Sequence, residues 1–394
     1  MSIAFIDSHE SHKALLPLTF TRPVCELRIG ILRIKEKWGY HLGNTSGYFT
    51  EDYLSGKYAQ PGPFDFLIAG NLLPSAALTR SLSSLEPGEA IFSNNIFLGA
   101  KSNGTSDPSA YKKVDFPGDV EMINRTWDIF LKNGDQIRKD YEMITRNRHT
   151  FGLTDKHSRC YGNEIFVEEG ATVKAAILNA EEGPIYIGKN ARIHEGAIIK
   201  GPFALCESSH VNMAAKIKGD STIGPHSKVG GEISNSVIQG YSNKAHDGFL
   251  GNAVIGEWCN LGADTNNSNL KNNYAPVKMW DYENHSFRDT GLQVCGLIMG
   301  DHSKCGINTM FNTGTTIGVA ANIFGPGFPR NVIPSFSWGG SGGFITHQLK
   351  KALKTAGLVM QRRNTELTSA DEKILNFIFN ATSEERVWEK TSNT

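Results

Sequence analysis

No sign of charge predominates in this sequence. Forty lysines and arginines are met by 40 aspartates and glutamates, so the formal net charge is zero. Nucleic acids and anionic membrane surfaces capture proteins through a basic footprint, and the balance predicts neither as a partner. Long apolar runs are absent too: no stretch of about 18 apolar residues is available to cross a bilayer. The opening MSIAFIDSHESHKALL has no basic stretch leading into an apolar one, so no signal peptide is expected. Cysteines are few. Cys25, Cys160, Cys206, Cys259, Cys295 and Cys305 stand well apart with no C-x-x-C pair, which predicts neither a zinc ribbon nor a disulfide scaffold. Scattered thiols of this kind place the chain in a reducing cytoplasm. Charged residues make up only 20% while glycine numbers 41, a balance that suits a turn-rich β protein better than a helical bundle. At 394 residues there is room for two or three domains.

What the chain does have is a repeat. From Ile187 an aliphatic residue recurs every six positions: Ile187, Ile193, Ile199, Leu205, Val211, Ile217, Ile223, Val229. With roughly one residue in four aliphatic, chance gives such a run on the order of 10⁻⁵ per starting point. Four residues after most of them stands a small side chain, as at Ala191, Ala197, Ser209, Ala215, Ser221 and Ser227. The register then slips by two and resumes at Phe249, Ile255 and Leu261; after an insertion it returns as Met299, Cys305, Phe311, Ile317 and Ile323. A period of six is neither the 3.6 of a helix nor the 2 of a strand. It predicts a triangular β-solenoid, with one aliphatic side chain pointing inward from each side and small residues or glycines at tight corners. A sandwich of regularly spaced strands is the alternative.

Over roughly residues 163–333 the sequence resembles the hexapeptide-repeat acyltransferases. That resemblance implies a left-handed parallel β-helix, assembly as a homotrimer, and acetyl-CoA lying in the groove between neighbouring subunits. Slips in a solenoid project loops from one face, often the binding face. The first, residues 229–274, is dense in Asn, Lys, His and Asp, polar groups for which a sugar phosphate is a fitting partner. This segment is similar to the acetyltransferase half of the bifunctional GlmU enzymes, which make UDP-N-acetylglucosamine from glucosamine 1-phosphate. The residues that carry the likeness are Glu232, His246, Phe249, Leu250, Gly251, Asn260, Leu261, Gly262, Ala263 and Asn269, at the family's spacing throughout.

The chemistry asks for such a set. A protonated amine cannot attack a thioester, and a histidine titrates where a general base must. By resemblance His246 is that base, whereas a lone histidine in a polar loop is simply a surface residue. Glu232, Asn260 and Asn269 match positions that bind the amino sugar, and the carbonyl oxygen of the thioester needs amide donors as it becomes an oxyanion. The departures concern phosphate. Ser234 stands for the family's lysine, Lys216 for an earlier arginine, Phe249 for a tyrosine and Leu270 for another, so phosphate binding moves to Lys216, Lys228, Lys244 or Lys271. Residues 300–318 resemble the coil beside the acetyl-CoA pantetheine, with Gly306 and Gly325 as backbone contacts. Residues 274–293 lack the repeat and read as a hairpin or arm, or as a plain surface loop.

Residues 1–155 mix short apolar runs with helical stretches and predict an α/β domain. LLPLTFTRPVCELRIGI, from Leu15, resembles the start of sugar nucleotidyltransferases, in the short variant fused to β-helices in GlmU-like proteins. The likeness implies that Arg22 contacts a phosphate of a nucleoside triphosphate, UTP being favoured, with Mg²⁺ as the metal. The glycine-rich phosphate loop is missing before Leu15, Val24 replaces a lysine, and Asn71 stands where a metal-binding Asp belongs. Asp7 or Glu26 is a candidate substitute, and the metal-binding residues are not identified from sequence.

Residues 156–335 form the predicted β-helix domain. Residues 336–394 form a C-terminal helical tail, opening on the glycine-rich break FSWGGSGG; its two helices, the second capped by Thr368 or Ser369 with Leu375, Phe377 and Ile378 as an apolar stripe, are expected to cover the solenoid's end. Arg362 and Arg363 read as solvated charges within reach of a cofactor phosphate. The sequence as a whole predicts a cytoplasmic sugar-phosphate transferase that acetylates an amino-sugar 1-phosphate and couples it to a nucleotide. The alternatives are a nucleotidyltransferase whose β-helix only trimerises it, and a non-catalytic nucleotide-sugar binding protein.

Overall fold

A computed structural model describes residues 1–389. It divides into two compact units, one formed by Met1–Leu27 with Leu32–Arg125 and the other by Arg28–Ile31 with Thr126–Thr394.

The first unit is the expected α/β domain. Strands β1 (Ser2–Ile6), β2 (Asn44–Phe49), β3 (Phe66–Ala69), β4 (Glu89–Ser93), β5 (Ile96–Lys101) and β6 (Lys112–Asp115) form one sheet in the order β2-β1-β3-β5-β4-β6. The β1, β2 and β3 strands are parallel, and β5 runs against both β3 and β4. Helices α1 (His9–Ala14), α2 (Ile34–Leu42) and α3 (Ala76–Ser83) connect them. Because β1 and β3 lie inside the sheet they read as short unbroken apolar runs, IAFI and FLIA, with no polar alternation.

The second unit is the solenoid. Its strands fall into three parallel faces. The first face has six strands, from Arg159–Tyr161 to Phe249–Gly251; the second has nine, from Ile165–Val167 to Val332–Ile333; the third has ten, beginning at Thr172–Val173. Every aliphatic residue of the hexad series from Ile187 to Val229 is at most 2% exposed. On the second face Val167, Ile187, Leu205, Ile223, Ile238, Ile255, Met299, Ile317 and Ile333 stack in register as one column. Each such side chain contributes roughly 1.5–3 kcal/mol by leaving water. The serines among the small positions bond between coils: Ser209 Oγ donates to Gly224 O at 2.7 Å and Ser242 Oγ to Gly256 O at 2.8 Å.

Four expectations are corrected. Phe249 is not a core position; Leu250 points inward, paired with Ile233, because the corner after it reaches the next inward residue, Ile255, in five positions rather than six. FSWGGSGG is not a break: Ser337–Gly340 adds to the third face beside Asn322–Ile323 and folds back on Gly343–Thr346 as a hairpin. Phe377 is 43% exposed, and Ile374, Leu375 and Ile378 form the buried stripe instead. The compact units divide at Arg125, earlier than residue 155, since helix α4 (Asp128–Thr145) packs on the solenoid's second face; Asn133 Nδ2 donates to Asp220 O at 2.9 Å. The segment Arg28–Ile31 is held in the same unit, Arg28 exchanging backbone bonds with the Gln239 amide.

The 274–293 insertion is a hairpin, Lys278–Asp281 against Ser286–Asp289, folded against its own coil near Gly314. Helices α5 (Leu349–Gln361) and α6 (Ser369–Ala381) follow the last strand. Thr368 caps α6 reciprocally with Asp371. Phe379 meets Phe336, and Trp388 meets Phe344, at the end of the solenoid.

Ile223→Ala empties a position in the middle of a column and is expected to cost about 2–5 kcal/mol in urea unfolding. Ile198→Ala, on an outward side chain that is half exposed, is expected to stay within about 0.5 kcal/mol. Equal losses would mean that the columns do not carry the stability of this unit.

Candidate functional site

The site grows out of a shortened corner. Between the third and first faces an inward residue is normally followed by the next six positions on, as Val211 is by Ile217; Ile233 follows Val229 after only four. Gly230 and Gly231 make that corner. A Cβ on Gly230 would lie 2.4 Å from Ala245 O, and Gly231 has φ +72°. The missing residues leave a notch of about 760 Å³ bordered by His194, Asn212, Met213, His246, Asp247 and Asp264.

The next corner, Ala245–Gly248, keeps its length and carries His246 at the edge of the notch. Its carbonyls are tied down one after another. Asn212 Nδ2 donates to Ala245 O at 2.7 Å, Lys244 Nζ to His246 O at 2.5 Å, and Lys244 Nζ again to Asp247 O at 2.8 Å. The His246 side chain itself is exposed.

On its other side His246 borders a cleft of about 740 Å³ on the third face. Four outward side chains on adjacent strands, Lys228, Asn243, Asn260 and Lys304, form its floor. Arg362 and Arg363, just past α5, reach in, and Arg363 Nη2 donates to Asn243 Oδ1 at 3.2 Å. Tyr241 and Trp258 form a wall. Both occupy left-handed corner positions, as do His226 and His302, and the four rings stack in one column with Tyr241 and Trp258 4.2 Å apart.

Among the described residues no carboxylate lines this cleft, and four cations do. The crowding shows in neighbouring groups. His210 is pushed down to about 4 by burial first, then by Lys228, His194, Arg192 and Arg363. Burial also lowers Lys304 and Arg363 below their ordinary ranges. Four cations on one half-buried surface give this cleft the charge complement of an anion, and the ring column, whose inner faces cover one another, bounds it on one side.

Of the residues expected from sequence, the cleft unites His246 with Asn260. Gly306 lies at the neighbouring corner, where a Cβ on Gly262 would meet its carbonyl. Glu232 and Lys216 sit side by side on the first face, outside the cleft and the notch, Glu232 pairing with Lys218 at 2.6 Å. Asn269 donates to Asn252 Oδ1 at 2.8 Å, Lys271 to Pro276 O at 2.7 Å, and Gly325 stands in open space. Lys244 does not offer itself to a phosphate, since it is 1% exposed with its ammonium on backbone carbonyls. Sequence reasoning passed over Tyr241, Trp258 and Lys304, and placed Arg362 and Arg363 in solvent. The ring column was legible only as aromatic residues at successive corner positions.

In the first unit the polar residues gather at the carboxyl ends of the parallel strands, where open α/β sheets bind ligands. Asp7 follows β1, and its Oδ2 accepts from Val24 N at 3.1 Å and Thr50 Oγ1 at 2.8 Å; its Oδ1 is buried with no hydrogen-bond partner. Arg22 is buried, and Asn71 donates to Asn124 Oδ1 at 3.1 Å. Glu26 is occupied by Arg33 and Lys35. Among the described residues no three His, Cys, Asp or Glu side chains gather as a metal would require. Asp7 alone does not make a divalent-cation site.

Residues 3–149 match the family model described as sugar nucleotidyl transferase. The chain is 31% identical over 186 residues to the bifunctional protein GlmU of Methanocaldococcus jannaschii, a match covering 46% of this chain and 41% of that one. It is 30% identical over 135 residues to GlmU of Trichodesmium erythraeum, covering 34% and 24%. A putative uncharacterized acetyltransferase of Escherichia coli, YaiX, is 28% identical over 143 residues, covering 36% and 61%. The chain therefore spans less than half the length of these GlmU relatives. Among solved structures the polySia-specific acetyltransferase NeuO is similar at 18% identity with a TM-score of 0.20, covering 50% of this chain and 85% of that one, a likeness too slight to carry an argument.

The depressed His210 yields a signed prediction. In the unfolded chain it takes its proton near pH 6.5, in the folded one near 4, so between those values the unfolded state binds more protons and stability falls as pH falls. The urea midpoint of the native chain is expected to drop more between pH 7 and pH 5 than that of His210→Gln. An identical drop would show that the cations around His210 do not act on it as described.

Proposed function

From a chain that joins, in the GlmU-like manner, a nucleotidyl transferase region to a parallel β-solenoid, we propose a transferase of nucleotide-sugar synthesis. Its solenoid moves an acetyl group from acetyl-CoA to the amine of an amino-sugar 1-phosphate. The observation that carries this reading is the position of His246, exposed on a tied-down corner between a notch and a cationic, ring-walled cleft. Coenzyme A suits the cleft by charge: its phosphates match Lys228, Lys304, Arg362 and Arg363.

His246 takes a proton from the substrate ammonium group, freeing the nitrogen lone pair to attack the thioester carbonyl. The tetrahedral oxyanion draws on nearby amide donors, Asn260 among them, and collapses with cleavage of the carbon–sulfur bond; the second proton of the attacking nitrogen passes to the departing thiolate, leaving the neutral amide and the free thiol. In this reading the protein is a cytoplasmic homotrimer. Lys216 and Glu232, on a first face that also exposes Ile177 and Ile198, belong to the sugar-phosphate site completed between subunits, with Asn269 and Lys271 behind them and Gly306 and Gly325 along the pantetheine. The N-terminal unit couples the sugar phosphate to a nucleotide from an NTP, UTP by likeness to GlmU, with Arg22 on a phosphate. Magnesium would enter with the triphosphate, because the residues at the strand ends do not form its site.

A second reading has its own support. Glu232 is satisfied by Lys218 and Asn269 by Asn252, so the amino-sugar residues do not converge within one chain. This favours nucleotidyl transfer alone, with the solenoid as an assembly module.

The deciding measurement is thiol release from acetyl-CoA in the presence of glucosamine 1-phosphate. Release that falls about 10²–10⁴-fold in His246→Ala supports general-base acetyl transfer. Absence of release from the intact assembly, with pyrophosphate released from UTP, selects the second reading. Arg363→Ala is expected to weaken coenzyme A binding about tenfold in calorimetry, the loss of one charge-assisted contact. Unchanged affinity would remove the cleft from the cofactor's path.

A further inference from the structure

Lys244 occupies a place where the solenoid elsewhere puts an aliphatic residue. It pairs with Val229 on the third face, and Leu261 is the next inward residue of that face. Its neighbours in this column are apolar, it is 1% exposed, and burial pulls its ammonium down to about 8. An ammonium in such surroundings costs several kcal/mol unless it is fully partnered. A valine or leucine here would continue the column at no such cost, so the lysine needs a compensating role.

That role is visible in what the ammonium touches. It donates to consecutive carbonyls, of His246 and Asp247, from within the coil. Asp247 and Asp264 supply negative charge nearby, and the Cys305 thiol is the remaining titratable neighbour. Asn212 holds the preceding carbonyl, and Asp264 N donates to Asp247 O at 3.1 Å. The corner of the coil before was shortened to open the notch, so on that side the His246 corner lacks a full-length neighbour to lean on. Lys244 supplies that support from inside.

We propose that Lys244 is a positioning residue: it fixes the backbone of the 246–247 corner from the solenoid interior and thereby aims the His246 imidazole at the reacting amine. The inference rests on the acetyl-transfer reading for its consequence, and it applies to a residue that touches no substrate. Misplacing a catalytic group by about 1 Å costs up to about 10²-fold in rate.

The test uses the full-length assembly and two readouts. Lys244→Met preserves the length and apolar packing of the side chain while removing the donors. Its acetyl-transfer kcat is expected to fall about 10–100-fold with KM for acetyl-CoA unchanged, while the unfolding midpoint holds or rises. Lys244→Arg, which keeps charged donors, is expected to recover most of the loss. The second readout needs no turnover: the carbon-13 signal of the His246 ring, assigned through its disappearance in His246→Ala. It is expected to shift and broaden in Lys244→Met and to stay sharp in the wild type. Should the Met variant not assemble, Lys244→Gln, with a shorter neutral donor, takes its place with the same expectations. Wild-type kcat in a folded Met or Gln variant, or an unmoved His246 signal, overturns the proposal. A wild type without thiol release sinks the acetyl-transfer reading, and the ring signal still decides whether Lys244 orders the corner.

Discussion

Everything in the second unit depends on keeping three inward columns in register. Each coil must deliver an aliphatic side chain to each face at the height of the coil before it, and a slip would leave a cavity or force a polar group inside. Catalytic features in such a frame are left to the corners and the outward side chains, because the inward positions are committed to stacking. One departure from the rule falls on a corner and another on the strand that leads into the next. Gly230–Gly231 drops two residues, and Lys244 replaces an aliphatic side chain. The first departure exposes the His246 corner, and the second restores the rigidity that exposure removes.

Charge is arranged on the same logic. The chain is neutral overall, yet the third-face cleft gathers four cations with no carboxylate among its lining residues. Lys228 and Lys304 flank Asn243 and Asn260 in one row of outward side chains, and Arg363 reaches onto the same row, so like charges share a small surface. The depressed His210 registers that repulsion, and burial leads its causes. The ring column answers a different cost. His226, Tyr241, Trp258 and His302 hold φ between 53° and 63°, a conformation that costs an L-residue roughly 1–2 kcal/mol. Stacking between neighbouring rings returns about 0.5–1.5 kcal/mol per pair, which offsets much of it.

These arrangements explain what the sequence disclosed and what it kept back. The six-residue period was legible because inward sidedness is a local property repeated coil after coil, and every member from Ile187 to Val229 is buried. Leu250 was misread as Phe249 because a shortened corner changes which residue faces in without changing composition. His246 and Asn260 were singled out by family likeness, and the fold brings them to one cleft. Arg362 and Arg363 read more readily as solvated charges than as phosphate contacts, because their place depends on where α5 ends, and Arg363 meets Asn243 from 120 residues away. Lys244 itself was read as one of four candidate phosphate ligands. Nothing in the letters around it says that its ammonium turns inward, since a lysine in the polar run SNKAHD looks like surface.

The first unit faces a sharper electrostatic problem than the solenoid. A nucleoside triphosphate brings several negative charges to the carboxyl ends of β1, β2 and β3, and the acid already there, Asp7, opposes it unless a cation intervenes. Glu26 is neutralised by Arg33 and Lys35 and adds little repulsion. Asn71, in place of a carboxylate, gives up a metal ligand and also removes one negative charge from the phosphate's surroundings. Arg22 stands two residues before Val24, whose N–H is bonded to Asp7, so a guanidinium is tethered to that edge of the sheet. In the proposed nucleotidyl reading, phosphate binding would lean on Arg22 and on any cation carried by the nucleotide. The nucleotidyl step is therefore the more exposed of the two proposed activities, and the acetyl transfer, which needs no metal, stands independently of it.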